Sequence, residues 1–174
     1  MLITECLADL KTVKKRIESA NETVQRYLAR QEHRKDPLLT KGGSTLVIQG
    51  EIQSVRDLAE KQVQTRLAIA RTNDQAKLTV QGVTRTVSEW LVWRREAAPI
   101  LASQYKTIFS KIDQVRKEAL KAGVQVTSGQ PGNDNDVVIH VDEVAIKQES
   151  EKLDAILGEL DGKLSIHNAT TEMK

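Results

Sequence analysis

The sequence predicts a mainly α fold: an elongated antiparallel four-helix bundle of coiled-coil hairpins carrying one or two short β-hairpins. Apolar residues recur at alternating spacings of three and four, the rhythm that keeps one narrow face of a helix turned toward a neighbouring helix. Charged residues make up 29% of the chain and aromatic ones only 3%. That balance suits long helices with much solvated surface, since a compact globule normally recruits more aromatic area. Glycine and proline are gathered into short stretches between the periodic runs, where the chain has to turn. A length of 174 residues fits one domain over 1–174.

A helical hairpin is expected over 4–72. Its first helix starts near Thr4, a plausible N-cap, and ends near Gln31, with Ile3, Cys6, Leu10, Val13, Ile17, Ala20, Val24 and Tyr27 on one seam. Pro37 and the pair Gly42-Gly43 cannot continue a helix, so the chain reverses there. The second helix, about Leu46 to Thr72, carries a wider set, Ile48, Ile52, Val55, Leu58, Ala59, Val63, Leu67 and Ala70, interrupted by Gln62 and Arg66. Similar lengths and one connecting loop argue for antiparallel neighbours.

A β-hairpin is expected over 77–85, turning at Gln81-Gly82; alone it is marginal and has to rest on helix ends or on another subunit. Thr86-Val87-Ser88-Glu89 is a capping box, the best-marked helix start in the chain. The long helix over 87–122 has one heptad seam in its second half, Leu101, Tyr105, Ile108, Ile112, Val115 and Ala119. Its first half carries two, Val87, Leu91 and Ala98 against Trp90, Trp93, Ala97 and Ile100, and Pro99 is expected to kink it. A second β-hairpin is expected over 124–141, its strands joined by the glycine-rich Ser128–Asn135 turn. The C-terminal helix over 143–167 carries Ile146, Ser150, Leu153, Leu157, Leu160, Leu164 and His167.

The net charge is only +2, which points to no nucleic-acid or membrane partner. Its distribution matters more. From Thr86 to Ala122 there are seven basic residues and four acidic ones, and from Asp142 to Lys174 eight acidic and four basic. Those two helices should attract side by side and set each other's register.

Chemistry is sought and not found. The single cysteine, Cys6, lies on an apolar seam and reads as a buried thiol; the histidines His33, His140 and His167 show no metal-ligand spacing. The Asn133–Asp136 cluster lacks the glycine and terminal glutamate of a calcium loop, and no phosphate-cradling glycine motif is present. The reading is therefore no catalytic residues, no metal and no cofactor, hence no enzyme. The opening residues do not form a secretory leader, and a cytoplasmic location is expected, or a virion if the chain is phage-encoded. Two tryptophans at i and i+3 followed by Arg94-Arg95 form the one sharper signal. With the second seam and the exposed hairpin they give an expected oligomer interface of Trp90, Trp93, Ala97, Ile100 and Gly82.

Ala70-Arg71-Thr72-Asn73 before a hairpin, Thr84-Arg85-Thr86 opening the next helix, and Asp136–Val141, Leu153–Leu164 and Asn168–Glu172 in that order resemble the septicolysin-like family of small bacterial helical proteins. The resemblance implies an antiparallel helical bundle with small hairpins that assembles as a ring-like homo-oligomer, a hexamer, and it supplies no catalytic residues. The double tryptophan and the glycine-rich Ser128–Asn135 turn depart from that pattern. The function expected is that of a non-enzymatic, self-associating coiled-coil protein whose partner is itself, with another structural protein as a further candidate. The alternatives are a phage or virion structural component and a membrane-active, cytolysin-like protein.

Overall fold

The computed structural model describes residues 1–128 and 135–173. The fold is mainly α, with four long helices and short strand pairs. Where the sequence suggests one domain, the chain gathers into two compact units, one of Met1–Gln75 with the residues from Ser165 onward, the other of Ala76–Leu164.

In the first unit, α1 (Ile3–Tyr27) and α2 (Ser44–Gln75) form the expected hairpin. The carboxylate of Asp9 near the start of α1 lies 2.7 Å from Lys61 Nζ in the second half of α2. The loop joins the opposite ends, so the helices are antiparallel. Every residue of the α1 seam from Ile3 to Tyr27 is buried or half-buried. The row facing it on α2 differs from the expected one. Ile48, Glu51, Val55, Leu58, Gln62, Thr65, Ile69 and Thr72 are turned inward, while Ile52, Ala59, Val63, Leu67 and Ala70 are exposed. The inward row keeps strict three–four spacing, and the apolar content of α1 lets it tolerate glutamine and threonine.

The start of α1 is capped differently from expectation. Leu2, not Thr4, is the N-cap of α1, and its amide donates to Glu5 Oε2 at 2.7 Å. Leu2 is already held extended by an antiparallel bridge to Glu172, and the Ile3 amide donates to the Thr171 carbonyl at 3.1 Å, so the helix begins at once. The interhelical loop is closed by Asp36. Its carboxylate accepts from the Leu38 amide at 2.9 Å, the Ser44 amide at 2.8 Å and the Ser44 hydroxyl at 2.5 Å.

In the second unit, β1 (Lys77–Val80) and β2 (Val83–Thr86) pair antiparallel with Val80 opposite Val83. Gln81 (φ 45°) and Gly82 (φ 77°) both have positive φ, the requirement of the two-residue turn that matches strand twist. Thr86 caps α3 (Val87–Val92) as predicted: the Glu89 amide donates to Thr86 Oγ1 at 3.1 Å and the Thr86 amide to Glu89 Oε2 at 2.7 Å.

The helix then widens into one π turn, Trp93–Ala97, and continues as α4 (Ala98–Ala122) with right-handed helical backbone throughout. Proline at position 99 has no N–H for the Arg95 carbonyl and its ring crowds that oxygen. Arg95 sits within the π turn, whose wider i→i+5 bonding accommodates the defect. The extra residue also merges the two seams expected in this stretch. The α4 row, Leu101 to Ala119, extrapolates backwards to Ala98, Arg94 and Leu91. Above the π turn the inward row is shifted by one, to Trp93 and Trp90, leaving Leu91 and Arg94 exposed.

After α4, β3 (Val126–Ser128) and β4 (Val137–Ile139) pair parallel, Val126 opposite Val137 and Ser128 opposite Ile139. The second hairpin expected over 124–141 is thus corrected to a parallel pair. The Val137 amide donates to the Gln125 carbonyl at 2.9 Å, placing the start of β4 beside the start of β3, where a tight reversal would place it beside the end. The Asn133-Asp134 part of the supposed calcium-like cluster and most of the glycine-rich turn lie outside the described residues.

Asp142 Oδ1 accepts from the Val144 and Ala145 amides at 2.9 and 3.1 Å, starting α5 (Glu143–Thr170). Its predicted row from Ile146 to His167 is buried or half-buried throughout. Arg94–Asp161 at 2.9 Å and Arg116–Glu143 at 2.6 Å link the long helix to α5 with opposite running direction, the pairing that the charge asymmetry anticipated. These side chains are largely solvated, so each pair contributes at most about 1 kcal/mol.

Candidate functional site

The residues expected to form an interface converge on the β1–β2 hairpin and the start of the long helix, but they divide between core and surface. Trp90 is 2% exposed and clusters with Val80, Val87, Leu160 and Leu164. Its indole N–H donates to the Leu78 carbonyl at 3.0 Å, and the Arg85 guanidinium lies 4.9 Å above its ring centre. Trp90 therefore belongs to the core and has no surface left for a second subunit. The segment predicts an amphipathic tryptophan pair, and the pair is split: Trp93 meets Trp90 edge-on, with ring centres 5.5 Å apart, and is only half-buried.

Ala97 is half-buried in the π turn, Gly82 is exposed at the hairpin tip, and Ile100 is 67% exposed. Trp93 and Val92 line a shallow, mostly apolar groove with Arg85, Ser88 and Glu89. The sequence pattern does not mark this groove, because β2 and α3 build it together.

The hairpin tip is clamped onto α5 by charged side chains. Glu159 Oε2 accepts from Gln81 Nε2 at 2.5 Å and from the Gln81 amide at 3.3 Å, and Lys163 pairs with Glu159 Oε1 at 2.7 Å while its ammonium also donates to the Thr79 carbonyl. The Lys163 and Gln81 hydrogen bonds hold the Glu159 carboxyl below its usual range. The hydrogen bonds of the capping box do the same for Glu89.

A second polar cluster escapes sequence reasoning altogether. His167, on the buried row of α5, presents Nε2 to Asn73 Oδ1 at 3.1 Å and Nδ1 to the Thr171 hydroxyl at 3.0 Å. Asn73 is 94 residues away in the chain, so no local signal links the two.

Other polar residues already serve the fold. A groove of about 710 Å³ is lined by Arg116, His140, Asp142 and Glu143 among others. Arg116 and Glu143 pair there with each other, and Asp142 caps α5. Among the described residues no group of three or more His, Cys, Asp or Glu is placed to hold a metal ion. Cys6 is buried, and its burial pushes the thiol pKa up, the opposite of what a reactive thiol needs. No helix of the described residues is long and apolar enough to cross a membrane.

No family model, curated protein or solved structure matches the chain.

Proposed function

We propose that this protein is a non-enzymatic, self-associating helical protein whose partner is a second copy of itself, in a ring-like, hexamer-like homo-oligomer of the kind the septicolysin-like resemblance implies. The observation that carries this reading is the exposed apolar flank of α2. Val63 and Leu67 are 51% and 50% exposed, with Ile52, Ala59 and Ala70 beside them on the outer side of the helix. Val92 and Ile100 add a second exposed apolar stretch around the π turn. Burial of such area is favourable by about 25 cal/mol per Å².

Sedimentation equilibrium at micromolar protein tests the proposal. A mass several times the 19.4 kDa of one chain supports it; a single-chain mass across the accessible concentration range overturns it.

A further inference from the structure

We propose that the Asn73–His167–Thr171 cluster is an acid-sensitive catch holding the terminal segment 171–173 against residues 1–3. The connections are continuous. The Asn73 side chain, on the last turns of α2, meets the His167 ring; the ring meets the Thr171 hydroxyl; and the Thr171 carbonyl accepts the Ile3 amide at 3.1 Å. Beyond it, Glu172 bridges Leu2 and the Met173 amide donates to the Met1 carbonyl at 3.0 Å. One titratable ring thus lies between the end of α2 and the paired segments.

The hydrogen bonds fix the tautomer of the neutral ring, and burial fixes the preferred protonation state. With Asn73 Oδ1 as acceptor, Nε2 carries the hydrogen, and Nδ1 is then the acceptor for the Thr171 hydroxyl. This is a neutral imidazole with both nitrogens satisfied, 8% exposed. A second proton on Nδ1 turns that nitrogen into a donor. The Thr171 hydroxyl can turn its own hydrogen aside and accept from it, so what acid adds is a cation without a counter-charge in a buried site. The titratable and charged groups on the elements around it are Glu5 and Cys6 on α1, Arg71 and Asp74 on α2, Lys163 on α5 and Glu172. Glu5 accepts from the Leu2 amide, Lys163 is engaged by Glu159, Cys6 is held neutral by burial, and Arg71, Asp74 and Glu172 are exposed. None offsets the burial of His167, which alone pushes the ring below the ordinary histidine value.

A folded pKa below the unfolded one means that, over the range in which the ring titrates, the folded state binds fewer protons than the unfolded state. The catch is at full strength above the ordinary histidine pKa of about 6.5 and weakens progressively below it. The first bonds to open should be the least supported ones, those between the chain-end segments.

The test combines NMR titration of the three histidines with amide exchange at Ile3 and Met173, corrected for intrinsic rates, between about pH 7.5 and about pH 5. His167 is expected to titrate below the ordinary histidine value of about 6.5, and protection at Ile3 to fall several-fold with acidification. In His167→Gln, which cannot take a proton, that protection should no longer depend on pH. Titration of wild-type His167 at or above the ordinary histidine value of about 6.5 overturns the proposal, as does low-pH titration with unchanged protection at Ile3. The wild-type measurements decide the matter even if the variant fails to fold.

Discussion

The indole nitrogen of Trp90 donates to the Leu78 carbonyl at 3.0 Å, joining the first turn of the long helix to the first strand of the hairpin. The hairpin is too small to be stable alone, and this bond, with the Val80–Val87–Leu160–Leu164 contacts around the ring, holds it on the helices. Trp90→Phe preserves much of the apolar contact but leaves the half-buried Leu78 carbonyl without this partner. It should cost about 1–3 kcal/mol, and Trp90→Ala about 3–5 kcal/mol. Urea denaturation followed by circular dichroism gives both numbers, and a Phe variant as stable as wild type removes the hydrogen bond from the account.

Gly82→Val should destabilise the chain by about 1–3 kcal/mol through backbone strain alone. A Cβ at Gly82 meets nothing within 4 Å, but φ is +77°, a conformation that β-branched residues resist. Gly82→Asn should cost clearly less, since asparagine tolerates positive φ. Equal melting temperatures for the two variants would contradict a strain origin.

Thr86→Ala removes the oxygen that accepts the Glu89 amide and should cost about 0.5–2 kcal/mol. Thr86→Ser should restore most of it. Thermal melts of the three proteins decide the point.

Acid should weaken the fold through carboxylates as well as through His167. Hydrogen bonds from Ser44, the Thr86 amide and Lys163 hold Asp36, Glu89 and Glu159 respectively below their usual range. Groups with depressed folded pKa values stabilise above the unfolded carboxylate range, near about pH 4, and lose that contribution as the pH falls through the folded values. In Glu159→Gln the fall in urea midpoint below about pH 4 should be shallower than in wild type; an identical slope assigns no part of it to the hairpin clamp.

Leu67→Asp combined with Ile100→Asp should lower the mass measured by light scattering while the helical spectrum and urea midpoint stay near wild type. Exposed substitutions of this kind usually shift stability by less than about 0.5 kcal/mol. Unchanged mass for this variant, with wild type associated, places the contacts elsewhere on the chain.

Much of this architecture is legible in the residues themselves. The inward rows of α1, α4 and α5 are the rows that the three–four spacing picks out, down to His167 on the last turns. The α2 row is not, because Gln62, Thr65 and Thr72 face α1 while Val63 and Leu67 stay outside. When one partner helix is strongly apolar, the other can be polar at its seam, and counting apolar residues then selects the wrong face. The parallel pairing of β3 and β4 is likewise hidden, since a strand pattern reports extension and alternation but not the direction of its partner. At the candidate site, the sequence singles out Trp90 and Trp93 but not their different fates. The Leu78 carbonyl twelve positions earlier and the Leu160–Leu164 stretch of α5 decide those.

The π turn at Trp93–Ala97 works as a phase adjuster in the longest rod of the molecule. With about 100° of rotation per residue in a uniform helix, the π turn absorbs a single surplus position, so that Trp90, Trp93 and the Leu101–Ala119 row all turn inward along one continuous axis. Deleting any one residue between Trp93 and Ala97 would leave Trp90 and Trp93 at three–four spacing from the Leu101–Ala119 row, so that uniform α winding alone would keep the two halves in step. A mutation that shortens the chain by one amino acid here should therefore disturb the buried rows far less than the same deletion within Leu101–Ala119.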